Sequence, residues 1–218
     1  MELKNKWIIP KDFDFAAEIN FLKKIAAAKL NLDFVFDEFN LPILMNLLLY
    51  FNNIKSIDTN GINLNKGIIL AGNVGTGKSK IMQLFSNYST IKRLAKYFKF
   101  ERANFIIDQF SIGGNTEIDK YLYNIQINGY NVKVPKPYHL CIDDIGFIDE
   151  EAMYFGNREN VIAKILFTRY DFLEQNILTH ATTNIDVETM KEKYGERLYS
   201  RFREMFNFIH LDGNDRRK

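Results

Sequence analysis

Residues 72–79 read Gly72, Asn73, Val74, Gly75, Thr76, Gly77, Lys78 and Ser79, entered from the apolar run Ile68, Ile69, Leu70 and Ala71 and left by a helix-like stretch over 80–88. Such a segment restricts the folds open to the chain, because it functions only between a buried strand and the first turn of a helix. Its glycines let the backbone wrap closely around phosphate groups with the N–H groups turned inward. The following helix points the positive end of its dipole at the same place. Lys78 supplies a mobile charge for the β- and γ-phosphates, and Ser79 offers a hydroxyl to Mg²⁺. A glycine-rich surface turn, the competing reading, does not explain the flanking strand and helix.

A chain of 218 residues suits one α/β core with a short appendage, and 46% hydrophobic with 14% aromatic residues predicts that it folds. The formal net charge of +2 gives no global attraction for nucleic acid, so any such partner needs a local basic patch. Cys141 lies in an apolar run and reads as a core thiol; alone, it makes neither a disulfide nor a cysteine metal site. Residues 1–6 lack an apolar leader, and the longest greasy stretch, 41–51, is interrupted by Pro42 and Asn46 and too short to span a bilayer. A cytoplasmic protein without membrane segments is expected.

Apolar positions such as Ala16, Ile19, Leu22 and Ile25, then Leu44, Leu47, Leu48 and Phe51, predict two helices within residues 13–53. Asn40 suits a cap for the second, with Pro42 in its first turn. Between them, residues 33–39 mix acids and aromatics and read as a packed connector. Asn60 and Gly61 signal a turn, followed by a strand over 67–71, helices over 80–88 and 91–98, and a strand over 103–107. Residues 111–115 read as a loop and 117–125 as a helix. Pro135 and Pro137 precede a strand over 138–142, then come a helix over 157–173, a strand over 177–182, a helix over much of 187–203 and a last strand over 206–211. This alternation predicts an α/β fold of the P-loop NTPase kind, a parallel sheet with helices on both faces. The expected division is an N-terminal helical segment (1–55), a nucleotide-binding domain (56–212) and a basic tail (213–218).

The strand over 138–142 runs into Asp143, Asp144, Ile145 and Gly146, which puts two carboxylates at the carboxyl end of a buried strand, where open α/β sheets bind ligands. Asp143 is placed to hold Mg²⁺, and Asp144 to polarise the water that attacks the γ-phosphate. A second acid points to hydrolysis, since mere storage of a nucleotide does not need it. Asn184, leaving the strand over 177–182, is expected to sit beside the γ-phosphate and orient that water. A turn role for this residue is the alternative.

Arg197 and Arg201 stand at i and i+4, so a helix places them on one face. With these, the ordered motifs GNVGTGKS, LCIDDIG, ATTN and GERLYSRF, within residues 60–211, resemble the AAA+ superfamily, and more closely its DnaC-type helicase loaders and IstB-type transposition ATPases. That resemblance implies ATP and Mg²⁺ as cofactors and a homo-oligomer in which an arginine of one subunit reaches the nucleotide of the next. Arg201 takes this finger role and Arg197 a supporting one. Such a finger accelerates phosphoryl transfer by roughly 10³–10⁵, so hydrolysis is expected to depend on assembly. The stretch after Arg201 is expected to be too short for a separate helical lid. Arg216 or Arg217 is a candidate nucleotide sensor, with a frayed basic tail as the alternative.

Lys92, Lys96 and Lys99, with Arg93 and Arg102 nearby and Tyr97 and Phe98 between, suggest a basic stripe with stacking aromatics for single-stranded DNA. A solvated helix face is the plainer account. Three functions compete. The first is an ATP-hydrolysing protein that acts on DNA or on a DNA-bound helicase or transposase. The second is a P-loop kinase for a small acceptor, although no set of lid arginines is evident. The third is a nucleotide-gated interaction module without turnover.

Overall fold

In a computed structural model, the protein is described at residues 11, 13–31, 34–54, 62–127, 131–135, 138–147 and 149–216. Asp33, the Asn60 and Gly61 turn, Pro137, Arg217 and the boundary expected near residue 55 lie outside these residues.

Asp14 caps the first helix, α1 (Phe15–Leu30), by accepting from the Ala17 N–H at 3.0 Å, and Asn31 ends it in the left-handed region (φ 50°). Helix α2 (Leu41–Phe51) begins after Asn40 with a proline in its first turn, as expected. The Asn40 side chain does not cap it, however. Its amide donates to the Val35 carbonyl at 2.8 Å and its Oδ1 accepts from the Asp37 N–H at 3.1 Å, so it folds the connector back on itself.

The chain then enters β1 (Gly67–Ala71), passes through the glycine-rich loop into α3 (Lys78–Ile91), and continues through β2 (Phe98–Arg102), α4 (Ala103–Gly113) and α5 (Asn115–Leu122). An antiparallel pair, β3 (Tyr123–Ile127) and β4 (Asn131–Pro135), precedes β5 (His139–Ile145). A second hairpin, β6 (Glu151–Tyr154) and β7 (Asn157–Asn160), leads to α6 (Val161–Tyr170), a 3-10 turn (Asp171–Gln175), β8 (Thr179–Thr183), α7 (Val187–Met205) and β9 (Phe206–His210).

Five strands form one sheet in the order β2-β5-β8-β1-β9, and every neighbouring pair is parallel. Strand alternation divides the core in two. Ile68, Leu70 and Cys141 pack under α1, α2 and α3, whereas Ile69, Leu140, Ile142 and Ala181 pack under α4, α5, α6 and α7. Helices thus cover both faces of a parallel sheet, as the sequence predicts. At its amino edge, fully buried Arg169 of α6 donates to the Tyr121, Tyr138 and Leu178 carbonyls and to Thr179 Oγ1, and burial pulls its guanidinium down to about 10. Among the described residues, no helix is long and apolar enough to cross a membrane.

Several local expectations fail for identifiable reasons. Residues 92–97 are turns, not a helix, because α3 stops where Arg93 takes the left-handed conformation (φ 53°), and the strand begins at Phe98. Residues 103–107 are helical: Ala103, Ile106, Ile107 and Phe110 are the buried positions, a spacing that a short apolar run conceals. The expected loop over 111–115 is instead the end of α4 and the start of α5, broken at Gly114. The helix expected from residue 117 to 125 ends at Leu122, and the one expected from 157 begins only at Val161, capped by Asn160, because each flanking segment pairs in a hairpin.

Candidate functional site

The sheet order sets β8 between the strand that feeds the glycine-rich loop and the strand that carries the two acids. All three end at the carboxyl edge. In the loop, Gly72, Gly75 and Gly77 have φ of 147°, 83° and 100°, a region that disfavours side chains. The tight fit is a second constraint: a Cβ on Gly72 would lie 2.3 Å from the Leu211 carbonyl oxygen. Lys78 is 5% exposed and its ammonium donates to the Gly72 and Asn73 carbonyls at 2.8 Å each. Thr76 donates to the Asn73 carbonyl at 2.9 Å, while Asn73 and Val74 form the exposed crest. Gly77 stands at the cap position of α3, so the helix dipole and the Lys78 charge meet at the loop.

Asp143 is 2% exposed and connects the loop to the strand ends. Burial pushes its carboxyl up, against hydrogen bonds from Thr182 and from Ser79 in the first turn of α3. The Thr182 hydroxyl donates to Asp143 Oδ1 at 2.6 Å and accepts from the Asp144 N–H at 2.9 Å, so one buried side chain organises both acids. Here the register between β5 and β8 slips: Ile142 pairs with Ala181, yet Ile145 pairs with Thr183, which leaves one extra residue on the acidic strand. Asp144 takes up that bulge in the left-handed conformation (φ 61°), and a bulge re-aims the side chain that it carries. Asn184 follows directly. Its Oδ1 is buried and has no hydrogen-bond partner among the described residues, a cost of about 1–3 kcal/mol that a ligand or water would relieve.

Arg197 and Arg201 do share one face of α7, beyond a kink at Gly195. Arg201 lies over the Phe167 ring at 3.7 Å and the Tyr170 ring at 4.4 Å and donates to the Phe167 carbonyl at 3.2 Å, and Arg197 lies 5.1 Å from the same Phe167 ring. These contacts seat both arginines against α6.

Residues 211–216 run beside the loop. The Leu211 N–H bonds the Ala71 carbonyl at 2.8 Å and the Arg216 N–H bonds the Gly75 carbonyl at 3.0 Å. The Arg216 guanidinium grips the Asp37 carboxylate at 2.5 and 3.0 Å and holds that carboxyl below its ordinary range. Arg216 therefore ties the loop's border to the α1–α2 connector.

The expected basic stripe does not form, since no helix spans 91–98. Lys92 pairs with Glu18 and lies near the Phe21 and Tyr88 rings. Lys96 is 8% exposed, donates to the Tyr50 carbonyl and Asn53 Oδ1, and sits 4.3 Å from the Tyr50 ring. Burial pulls its ammonium down to about 8. Both lysines knit helices together, and Lys99 lies near the Tyr138 ring, while Arg93 and Arg102 remain exposed.

Thr182 escapes the sequence reading, although two threonines ending a buried strand just before Asn184 were an available signal. Glu150, fully buried behind the acids, gave none: it is the middle residue of an ordinary acidic run.

The loop glycines, the Asp143, Ser79 and Thr182 cluster and the unpartnered Asn184 oxygen fit a nucleoside triphosphate with Mg²⁺. Lys78 and the loop N–H groups would hold the phosphates, and Ser79 and Asp143 the metal, which supplies charge neutralisation at the reacting phosphate.

The fold is the P-loop AAA+ fold. The structure is similar to a DnaC helicase loader (TM-score 0.55, 19% identity, 87% of this chain and 99% of that one). It is also similar to domain III of the replication initiation protein DnaA from Thermotoga maritima (TM-score 0.55, 17% identity, 84% of this chain and 66% of that one). A third likeness is to AMPPCP-bound DnaA from Aquifex aeolicus (TM-score 0.51, 18% identity, 84% of this chain and 50% of that one). No protein-family model matches the chain, and no curated protein matches it by sequence.

Proposed function

We propose that the chain is an ATPase that assembles with copies of itself on ATP and acts on DNA or on a DNA-bound partner, in the manner of a helicase loader or a mobile-element relative. The observation that carries this reading is the Asp143 carboxylate, hydrogen-bonded to both Ser79 of the phosphate loop and Thr182 of the neighbouring strand. It joins the metal-holding and water-activating halves of a hydrolytic site, and a pure storage site needs only the first. The AMPPCP bound to Aquifex aeolicus DnaA and the likeness to the DnaC helicase loader support the nucleotide and the client class.

In this reading the Asp144 carboxylate takes a proton from the attacking water and Asn184 orients that water. Lys78 and the loop amides hold the phosphates in line. Arg201 completes the site of a neighbouring subunit, supported by Arg197. The test is ATP turnover with and without single-stranded DNA, alongside sizing with a non-hydrolysable ATP analogue. Turnover that rises with assembly is expected; phosphate transfer to a small acceptor, or binding without turnover in any assembly, would replace the reading.

A further inference from the structure

Glu150 is fully buried, and one oxygen of its carboxylate is engaged twice. Glu150 Oε1 accepts from the Gly146 N–H at 2.7 Å and from the Tyr194 hydroxyl at 2.7 Å. The Gly146 carbonyl is held as well, by the Lys193 ammonium at 2.9 Å. Through its own carbonyl, Glu150 also accepts from the Val161 N–H at 2.9 Å, at the start of α6. Four segments therefore meet at one residue, whose side chain joins the turn after the acids to the middle of α7 and whose backbone joins the approach to β6 to the start of α6.

Gly146 lies two residues beyond Asp144, and the intervening Ile145 carbonyl accepts from the Thr183 hydroxyl at 2.8 Å. The left-handed turn at Asp144 is thus pinned on its β8 side by Thr182 and Thr183 and on its α7 side by Glu150 and Lys193. Tyr194 immediately precedes Gly195, whose φ of 75° and ψ of 156° set the direction of the half-helix that bears Arg197 and Arg201. The Tyr194 ring packs edge-on against Phe202 of that same half, 5.3 Å between centroids.

We infer that Glu150 is a positioning residue that sets the Asp144 turn and the arginine-bearing half of α7 relative to one another, so that the two ends of the hydrolytic apparatus move as a unit. This inference rests on the function proposed above. It makes Glu150 matter for turnover far more than for nucleotide affinity, because neither of its partners lies in the phosphate loop.

The experiment compares Glu150→Ala, Glu150→Gln and Tyr194→Phe with the unmodified chain, reading kcat, the dissociation constant of a fluorescent ATP analogue, and amide hydrogen exchange over 144–147 and 190–203. Glu150→Ala should lower kcat about tenfold or more, the weight of a lost hydrogen bond to a charged group, with affinity changed by less than about threefold. Glu150→Gln keeps an acceptor for both donors and should recover most of that loss. Tyr194→Phe removes one hydroxyl while keeping the ring, so it covers the case in which Glu150→Ala fails to fold; it should speed exchange at Gly146 from across the fold. Unchanged exchange over 144–147 in Tyr194→Phe overturns the coupling whether or not the chain turns over. Unmodified turnover in a folded Glu150→Ala protein overturns it as well. Absence of turnover in the unmodified chain counts against the proposed ATPase, and the exchange arm still decides the role of Glu150.

Discussion

The Arg216 guanidinium holds the Asp37 carboxylate through two nitrogens while the Arg216 N–H bonds the Gly75 carbonyl, so one residue fastens the phosphate loop to the connector between the first two helices. The side chains are each 29% exposed, and a pair of that kind contributes about 0–1 kcal/mol to stability. Its effect should appear in nucleotide exchange instead. Arg216→Ala and Asp37→Asn are expected to release a fluorescent ATP analogue several-fold faster with little change in melting temperature. The Asp37 carboxyl is lowered from 3.8 by Arg216, so its contribution is present at neutral pH and disappears only as pH falls through the lowered value. The difference between the unmodified and Arg216→Ala proteins should therefore hold from pH 8 down to about 5 and vanish in stronger acid, which stopped-flow release across pH measures.

Thr182→Val is close to isosteric, yet it strips the acceptor from the Asp144 N–H and the donor from Asp143. A stability loss of about 1–3 kcal/mol is expected from the orphaned groups. Turnover should fall while the ATP analogue remains bound, and Thr182→Ser should restore much of it. Denaturant titration and steady-state rates check both halves, and a Thr182→Val protein with full turnover would remove the hydroxyl from the mechanism.

Lys78→Ala should abolish productive phosphate binding, since charged hydrogen bonds of its kind are worth about 1.5–3 kcal/mol each. Arg201→Ala should bind nucleotide normally and fail in turnover. If Arg201 acts on a neighbouring subunit, mixing the two inactive proteins restores part of the activity. Rates that stay at background at concentrations where oligomers form would argue against a shared site.

Lys96 carries a pH signature of the same sign as Asp37, set in the alkaline range. Burial lowers its ammonium from 10.5 to about 8, so between those values the unfolded chain binds more protons than the folded one. Stability contributed at this position therefore rises with pH across that interval. Relative to Lys96→Met, the unmodified protein should gain in melting temperature between pH 8 and about 10, and a flat difference would mean that the ammonium is not desolvated.

The strand that feeds the phosphate loop was legible to the residue because Gly67, the apolar run and the glycines punctuate it. Both acids and the sheet class were readable for the same reason, since parallel strands buried on both faces appear as continuous apolar runs. What remained hidden depends on contacts distant in sequence. The helical stripe of Ala103, Ile106, Ile107 and Phe110 looks like a strand until its neighbours are known, and the lysines at 92 and 96 look solvated until Glu18 and Tyr50 arrive from the first two helices. The bulge at Asp144 was equally silent, because register is a property of two strands and cannot be read from one.

A Cβ placed on Gly75 would lie 2.0 Å from an Asp215 carboxylate oxygen. Asp215 is exposed and its carboxylate can swing aside, so the φ of 83° is the lasting constraint on position 75. In a library that randomises position 75, glycine should therefore dominate whatever stands at 215, with asparagine and aspartate the residues that recur next.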